Sequence, residues 1–114
     1  MPSRYIEKYS FGDIVIDGQT YKDDVVLLGK MVKSGWWRKE GHRLNIDDLQ
    51  KVIDYGPDLL IIGTGNSGRM RVSSDIDEKV DFEIESYPTN KACKKYNLAL
   101  DKDIKVAGAF HLTC

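Results

Sequence analysis

A single α/β domain is the fold class this sequence predicts, and three observations predict it. The N-terminal third is dense in short β-branched runs, Leu59-Leu60-Ile61-Ile62 reads without alternation as a strand covered on both faces, and two later segments carry helix-start signals. A chain of 114 residues hides only about two thirds of its surface on folding, which bounds residues 1–114 to one core and one domain. The apolar share of 41% against 31% charged places it among globular chains rather than disordered ones.

The elements follow in chain order. Ile14, Val15 and Ile16 carry a strand over 11–16, Asp17-Gly18 supplies a hairpin turn, and Gln19-Thr20-Tyr21 returns. Residues 25–28 and 32–38 repeat the strand signal, with Gly29-Lys30 as the break. A helix is predicted over 46–55, with Asn45 at the N-cap, Asp47 and Asp48 in the first turn, and Leu44 over Leu49 as a staple. Its buried face is Ile46, Leu49, Val52 and Ile53, and Gly56-Pro57 stops it: glycine takes the left-handed closing conformation and proline cannot continue the ladder.

Residues 59–62 are expected to form the central strand. Beyond a glycine-rich loop, Arg69-Met70-Arg71-Val72 alternates like a strand, 74–80 reads as a short helix or turn, and 82–85 as another strand. Thr89 is placed to cap a helix over 90–98, with Ala92, Cys93 and Tyr96 on one stripe and Lys91, Lys94 and Lys95 on the other. The small residues of Val106-Ala107-Gly108-Ala109-Phe110-His111-Leu112 suit a buried strand packed closely under a helix.

Seventeen Lys and Arg against eighteen Asp and Glu give a net charge of -1, which supplies no broad positive field for a phosphate backbone, so no nucleic acid partner is expected. The longest aliphatic run, 59–62, falls far short of the roughly 20 residues that cross a bilayer, so no membrane span is expected. Met1-Pro2-Ser3-Arg4-Tyr5 carries no apolar signal region, which points to a cytoplasmic location. Cys93 and Cys114 do not make a disulfide framework and fit a reducing compartment; whether they pair is left open.

Gly35-Trp36-Trp37-Arg38, Leu59-Leu60-Ile61-Ile62-Gly63-Thr64-Gly65, Ser67-Gly68-Arg69, Ala92-Cys93, Tyr96-Asn97 and His111-Leu112-Thr113-Cys114 occur in register along nearly the whole chain. In this set the chain resembles the Mth-type domain family of unknown function. That family takes in archaeal and bacterial stand-alone proteins, an adipogenesis-associated vertebrate protein and a mitochondrial assembly factor for respiratory complex I. The resemblance implies a compact three-layer fold with a mixed central sheet, helices packed on it and an extra N-terminal β element. It implies no reaction, and no catalytic residues are carried over from it.

Gly63-Thr64-Gly65-Asn66-Ser67-Gly68 matches the letters of a dinucleotide fingerprint, with Glu83 about 20 residues on. A dinucleotide loop must open directly into a helix, whereas 69–72 alternates like a strand, so no nucleotide cofactor is expected. Two readings of the loop stand. In one it is a tight turn between buried strands. In the other its amides form an anion nest to which Thr64, Ser67 and Arg69 add donors, with Arg38, His42 or His111 bordering it.

Trp36 and Trp37 are read as lying in a strand, so their indoles face opposite ways and one is left exposed or in a groove, either as an anchor for a partner with Arg38 or Lys39 beside it or as a cover over the edge of the core. His42 is read as a solvated loop imidazole. His111 and Cys114 face opposite ways in a continuing strand and do not form a dyad, and Cys93 is a small core residue. Two His and two Cys without paired spacing predict no metal site, and Asp23-Asp24, Asp75, Asp77 and Glu78 read as solvated acids. The expectations are a protein-binding or assembly module without catalysis or, as the alternative, an enzyme or sensor that holds a small anion at the 63–69 loop.

Overall fold

Six consecutive residues with little or no charge, Leu59–Thr64, form strand β7, and all but the first are buried. The computed structural model in which this is seen describes residues 6–29, 31–40 and 42–113. The sequence expectations that touch Met1 to Tyr5, Lys30, Gly41 and Cys114, including the spacing of His111 to Cys114, lie outside the described residues.

The chain begins with β1 (Ile6–Ser10), β2 (Asp13–Ile16) and β3 (Gln19–Tyr21), an antiparallel three-stranded sheet whose second turn places Asp17 and Gly18 at positive φ. Next come β4 (Val25–Leu28), β5 (Met31–Ser34) and the two-residue β6 (Arg43–Leu44). A 3-10 turn over Ile46–Leu49 leads into α1 (Gln50–Tyr55). β7 is followed by β8 (Arg71–Val72), α2 (Ile76–Lys79), β9 (Glu83–Tyr87), α3 (Thr89–Asp101) and β10 (Val106–His111).

The main sheet is mixed, in the order β5-β4-β10-β7-β9. β10 runs parallel to β7, β7 runs parallel to β9, and β4 lies antiparallel to β10. The middle position therefore belongs to β10 and not to β7, although β7 is interior. One face carries α3 and the N-terminal sheet over a core of Ile14, Ile16, Leu27, Ile61, Tyr96 and Phe110. The other carries α1, α2 and the β6–β8 pair over Leu44, Leu49, Val52, Leu60, Ile62 and Ile76. Helices and N-terminal sheet thus sandwich one central sheet.

Three local expectations are corrected. The strand predicted over 32–38 ends at Ser34, because Gly35 takes φ 76 and turns the chain away from the sheet, so Trp36 and Trp37 do not lie in a strand. The helix over 46–55 starts as a 3-10 turn, though Asn45 sits at its N-cap, Asn45 N–H donates to the Asp48 carboxylate at 2.9 Å, and Gly56 closes it at φ 67. Thr89 is not the cap of α3; Pro88 is, and the Thr89 hydroxyl donates to the His111 carbonyl at 2.6 Å.

Asn97 explains why the N-terminal sheet docks on α3. Its amide nitrogen donates to the Ile6 carbonyl and its amide oxygen accepts from Ile6 N–H, both at 2.9 Å, so one side chain extends the edge of β1 as a strand would. Among the described residues no helix is long and apolar enough to cross a membrane.

Candidate functional site

Register brings together side chains that are far apart in sequence. Val25 of β4 opposes Phe110 of β10, so Asp24, just before β4, lies beside His111 at the end of β10. His111 in turn opposes Thr64 at the end of β7, and Gly63 opposes Tyr87 of β9. The ends of three parallel strands and the entry to a fourth thus meet at one edge of the sheet.

Asp24 organises this edge. One carboxylate oxygen lies 2.8 Å from both the Arg38 guanidinium and Nδ1 of His111, and the other accepts from Leu112 N–H at 2.8 Å. Burial opposes ionisation of Asp24, but the bonds from His111, Leu112 N–H and Arg38 outweigh it and hold the carboxyl below the usual carboxylate range. An ionised carboxylate can only accept, so Nδ1 of His111 carries the proton in this contact. The Arg38 nitrogen 2.9 Å from the same Nδ1 is then a close approach and not a hydrogen bond, since a guanidinium only donates.

His111 Nε2 is buried and has no hydrogen-bond partner among the described residues. The exposed ring of His42 meets the His111 ring edge-on, with centroids 6.3 Å apart. A histidine oriented by a carboxylate resembles a general base, and no hydroxyl or thiol of the described residues is hydrogen-bonded to Nε2. Among these residues no group of three or more His, Cys, Asp or Glu is arranged to hold a metal ion.

The segment 36–39 is pinned from both sides. Trp36 N–H donates to the Asp24 carbonyl at 2.9 Å, its indole N–H donates to the Asp48 carbonyl at 2.9 Å, and Lys39 N–H reaches the Asp48 carboxylate at 3.2 Å. The Arg38 guanidinium lies 4.8 Å over the Trp36 ring, and its side chain is only 6% exposed. Trp37, between these anchors, is 76% exposed. The two indoles do occupy opposite environments, for a reason other than strand alternation. Trp36 and Trp37 border a half-enclosed groove of about 340 Å³ whose floor includes Val26 and Val52 and whose rim carries Lys39 and Asp47.

The 63–69 segment leaves β7 at Thr64 and reaches β8 without starting a helix. Its amides are used within the protein: Gly65 N–H donates to the Thr89 hydroxyl, Asn66 N–H to Thr113, Gly68 N–H to Gly65 and Met70 N–H to Thr64. The Thr64 hydroxyl donates to the Tyr87 carbonyl at 3.0 Å. Ser67, Gly68 and Arg69 are exposed, whereas Gly63 is sealed: a Cβ there would lie 2.9 Å from the Phe110 ring and the Thr89 hydroxyl.

The structure therefore joins Arg38 to His111, holds Trp36 beneath Arg38, and turns Trp37 outward. Asp24 and Thr89 connect these parts; Asp24, expected to be a solvated acid, is instead largely buried among Arg38, His111 and Leu112, and the linking role of Thr89 was not foreseen. Asp24 had one available signal: it abuts the fully buried run 25–28 with no turn residue between, and an acid in that position needs a partner. Thr89 had none, because its partners are a loop and a strand end distant in sequence.

A family profile described as a protein of unknown function (DUF498/DUF598) matches residues 6–111. The solved structure MT938 matches at 26% identity with a TM-score of 0.81, over 97% of this chain and 99% of that one. The conserved hypothetical protein PH1505 of Pyrococcus horikoshii OT3 also matches at 26% identity and TM-score 0.81, over 96% and 98% of the two chains. A Mth938-like domain protein of Bordetella pertussis shares the fold at 13% identity, with a TM-score of 0.72 over 96% and 86%.

Proposed function

Because this chain belongs to the DUF498/DUF598 family of proteins of unknown function, with the fold of a Mth938-like domain, we propose that it is a non-catalytic protein-binding module whose docking anchor is Trp37. The observation that carries the reading is the display of that indole, 76% exposed between neighbours that are held rigidly. Backbone held on both sides of the indole before binding lowers the ordering cost of docking, and Trp is a recurrent hot spot. The occupant is a protein partner that lays an apolar side chain into the groove between Trp36 and Trp37, with Lys39 and Asp47 giving a polar rim.

Native affinity capture with wild-type, Trp37→Ala and Leu98→Ala baits tests this. Leu98 is also an exposed apolar residue, but it lies on α3. A partner should be held by the wild type and by Leu98→Ala, and its affinity for Trp37→Ala, measured with the purified partner, should fall by at least about tenfold. Equal retention by Trp37→Ala, or no reproducible partner, would overturn the reading. Light scattering supplies the remaining arm: self-association that depends on Trp37 would assign the groove to a second copy instead.

The competing reading places a small anion at the 63–69 loop. With the amides of Gly65, Asn66, Gly68 and Met70 engaged, such an anion would rely on Ser67 and Arg69.

A further inference from the structure

We propose that Arg43 and Arg71 form a second, separate site that clamps the phosphate of a small phosphomonoester. β6 and β8 pair in parallel with Arg43 directly opposite Arg71 and Leu44 opposite Val72. Leu44 is fully buried and Val72 packs against the same core, so strand alternation turns both arginines to the outer face, where both are exposed. Neighbouring strands lie about 4.8 Å apart, and like charges placed directly opposite one another are destabilising. Among the described residues neither guanidinium takes part in an ion pair. The acid that follows in sequence, Asp75, is occupied by Lys79 at 2.8 Å and by the Ser73 hydroxyl at 2.7 Å.

Two cations therefore face the same open depression of about 470 Å³, bordered by Ser73 and Ser74, without internal neutralisation. The ligand that relieves this arrangement carries two negative charges on oxygens spaced for guanidinium forks, and a phosphomonoester dianion does so. The Ser73 hydroxyl is committed to Asp75, which leaves exposed Ser74 as the neutral donor at the rim. A polyanion is disfavoured, because exposed Asp77 and Glu78 follow directly on α2 and the whole chain carries a net charge of -1.

The test is thermal unfolding of the full chain in inorganic phosphate and in phenyl phosphate, against sodium chloride at matched ionic strength. Both should raise Tm saturably over the chloride control, through preferential binding to the folded form. Arg43→Gln and Arg71→Gln should each weaken the apparent affinity by at least about tenfold, since each removes charge-assisted hydrogen bonds. Without phosphate, the Arg43→Gln/Arg71→Gln double variant should melt no lower than the wild type, because a like-charge contact has been removed. That baseline keeps the test readable, since it reports whether the variant folds. Arg71→Lys keeps the charge and loses the fork, so it should also weaken phosphate binding.

No saturable shift, or one unchanged in the double variant, would overturn the proposal. So would a shift abolished by Arg69→Ala and kept in the double variant, which assigns the anion to the glycine loop. Tighter binding of a short oligonucleotide than of phenyl phosphate would overturn the choice of ligand. None of these outcomes depends on the Trp37 groove.

Discussion

Asp24 shows how one carboxylate can order a whole edge of a protein. It receives bonds from Arg38, His111 and the Leu112 backbone, so its loss leaves a buried guanidinium without its counter-charge and a buried imidazole without its acceptor. Asp24→Asn should lower stability at neutral pH by about 2–3 kcal/mol, less than for a fully buried pair because the Asp24 side chain is 17% exposed. Its pKa is held below the unfolded value of about 3.9, so the contribution is complete above about pH 4 and is lost as pH falls through the folded value. Urea unfolding at a series of pH values should show the gap between wild type and Asp24→Asn closing below about pH 4. Cys93 makes the opposite case: burial pushes its thiol up to about 12, so it is protonated and shielded. Peptide mapping after iodoacetamide treatment should find Cys93 unmodified in the native protein and modified after denaturation.

At the scale of elements, α3 sits close to the sheet because β10 offers it no side chain at Gly108. A Cβ there would lie 2.5 Å from the Phe110 ring and 3.0 Å from the Tyr96 ring, and these rings meet edge-on. Gly108→Ala should therefore cost about 1–3 kcal/mol through overpacking, seen as a lower urea midpoint at unchanged m-value. The need for a small residue was legible in the run 106–112, and so was the stripe of Ala92, Cys93 and Tyr96, all buried. The strand predicted over 32–38 failed for an instructive reason. Val32, Trp36 and Trp37 favour strand locally, but Gly35 turns the chain and Asp24 and Asp48 hold the following residues away from the sheet edge. Propensity was overridden by hydrogen bonds to groups on other elements.

For the whole molecule, the central sheet separates two cores, and the proposed surfaces both lie on the side of α1 and α2. Val52 of α1 floors the Trp37 groove, and the β6–β8 pair covers the same core, yet neither exposed anchor supports it. Trp37→Ala should therefore leave stability within about 0.5 kcal/mol of the wild type, measured by chemical unfolding, while it removes the partner contact. A large destabilisation would instead make the exposed indole a structural residue.

What the sequence determined by itself was most of the elements and much of their burial, although β1 and β6 were not foreseen and the strand over 32–38 was drawn too long. Apolar periodicity, the cap at Asn45, the closing Gly56 and the passage from β7 to β8 without a helix all depend on residues within a few positions of one another. Tertiary structure alone decided the candidate site. Asp24 and His111 are 87 positions apart and Arg38 and His111 are 73 apart, and they meet only because β4 and β10 pair in one register. The same holds for Arg43 and Arg71, whose opposition depends on the pairing of two strands of two residues each. Local sequence reports which face a side chain takes, whereas strand register chooses its neighbours.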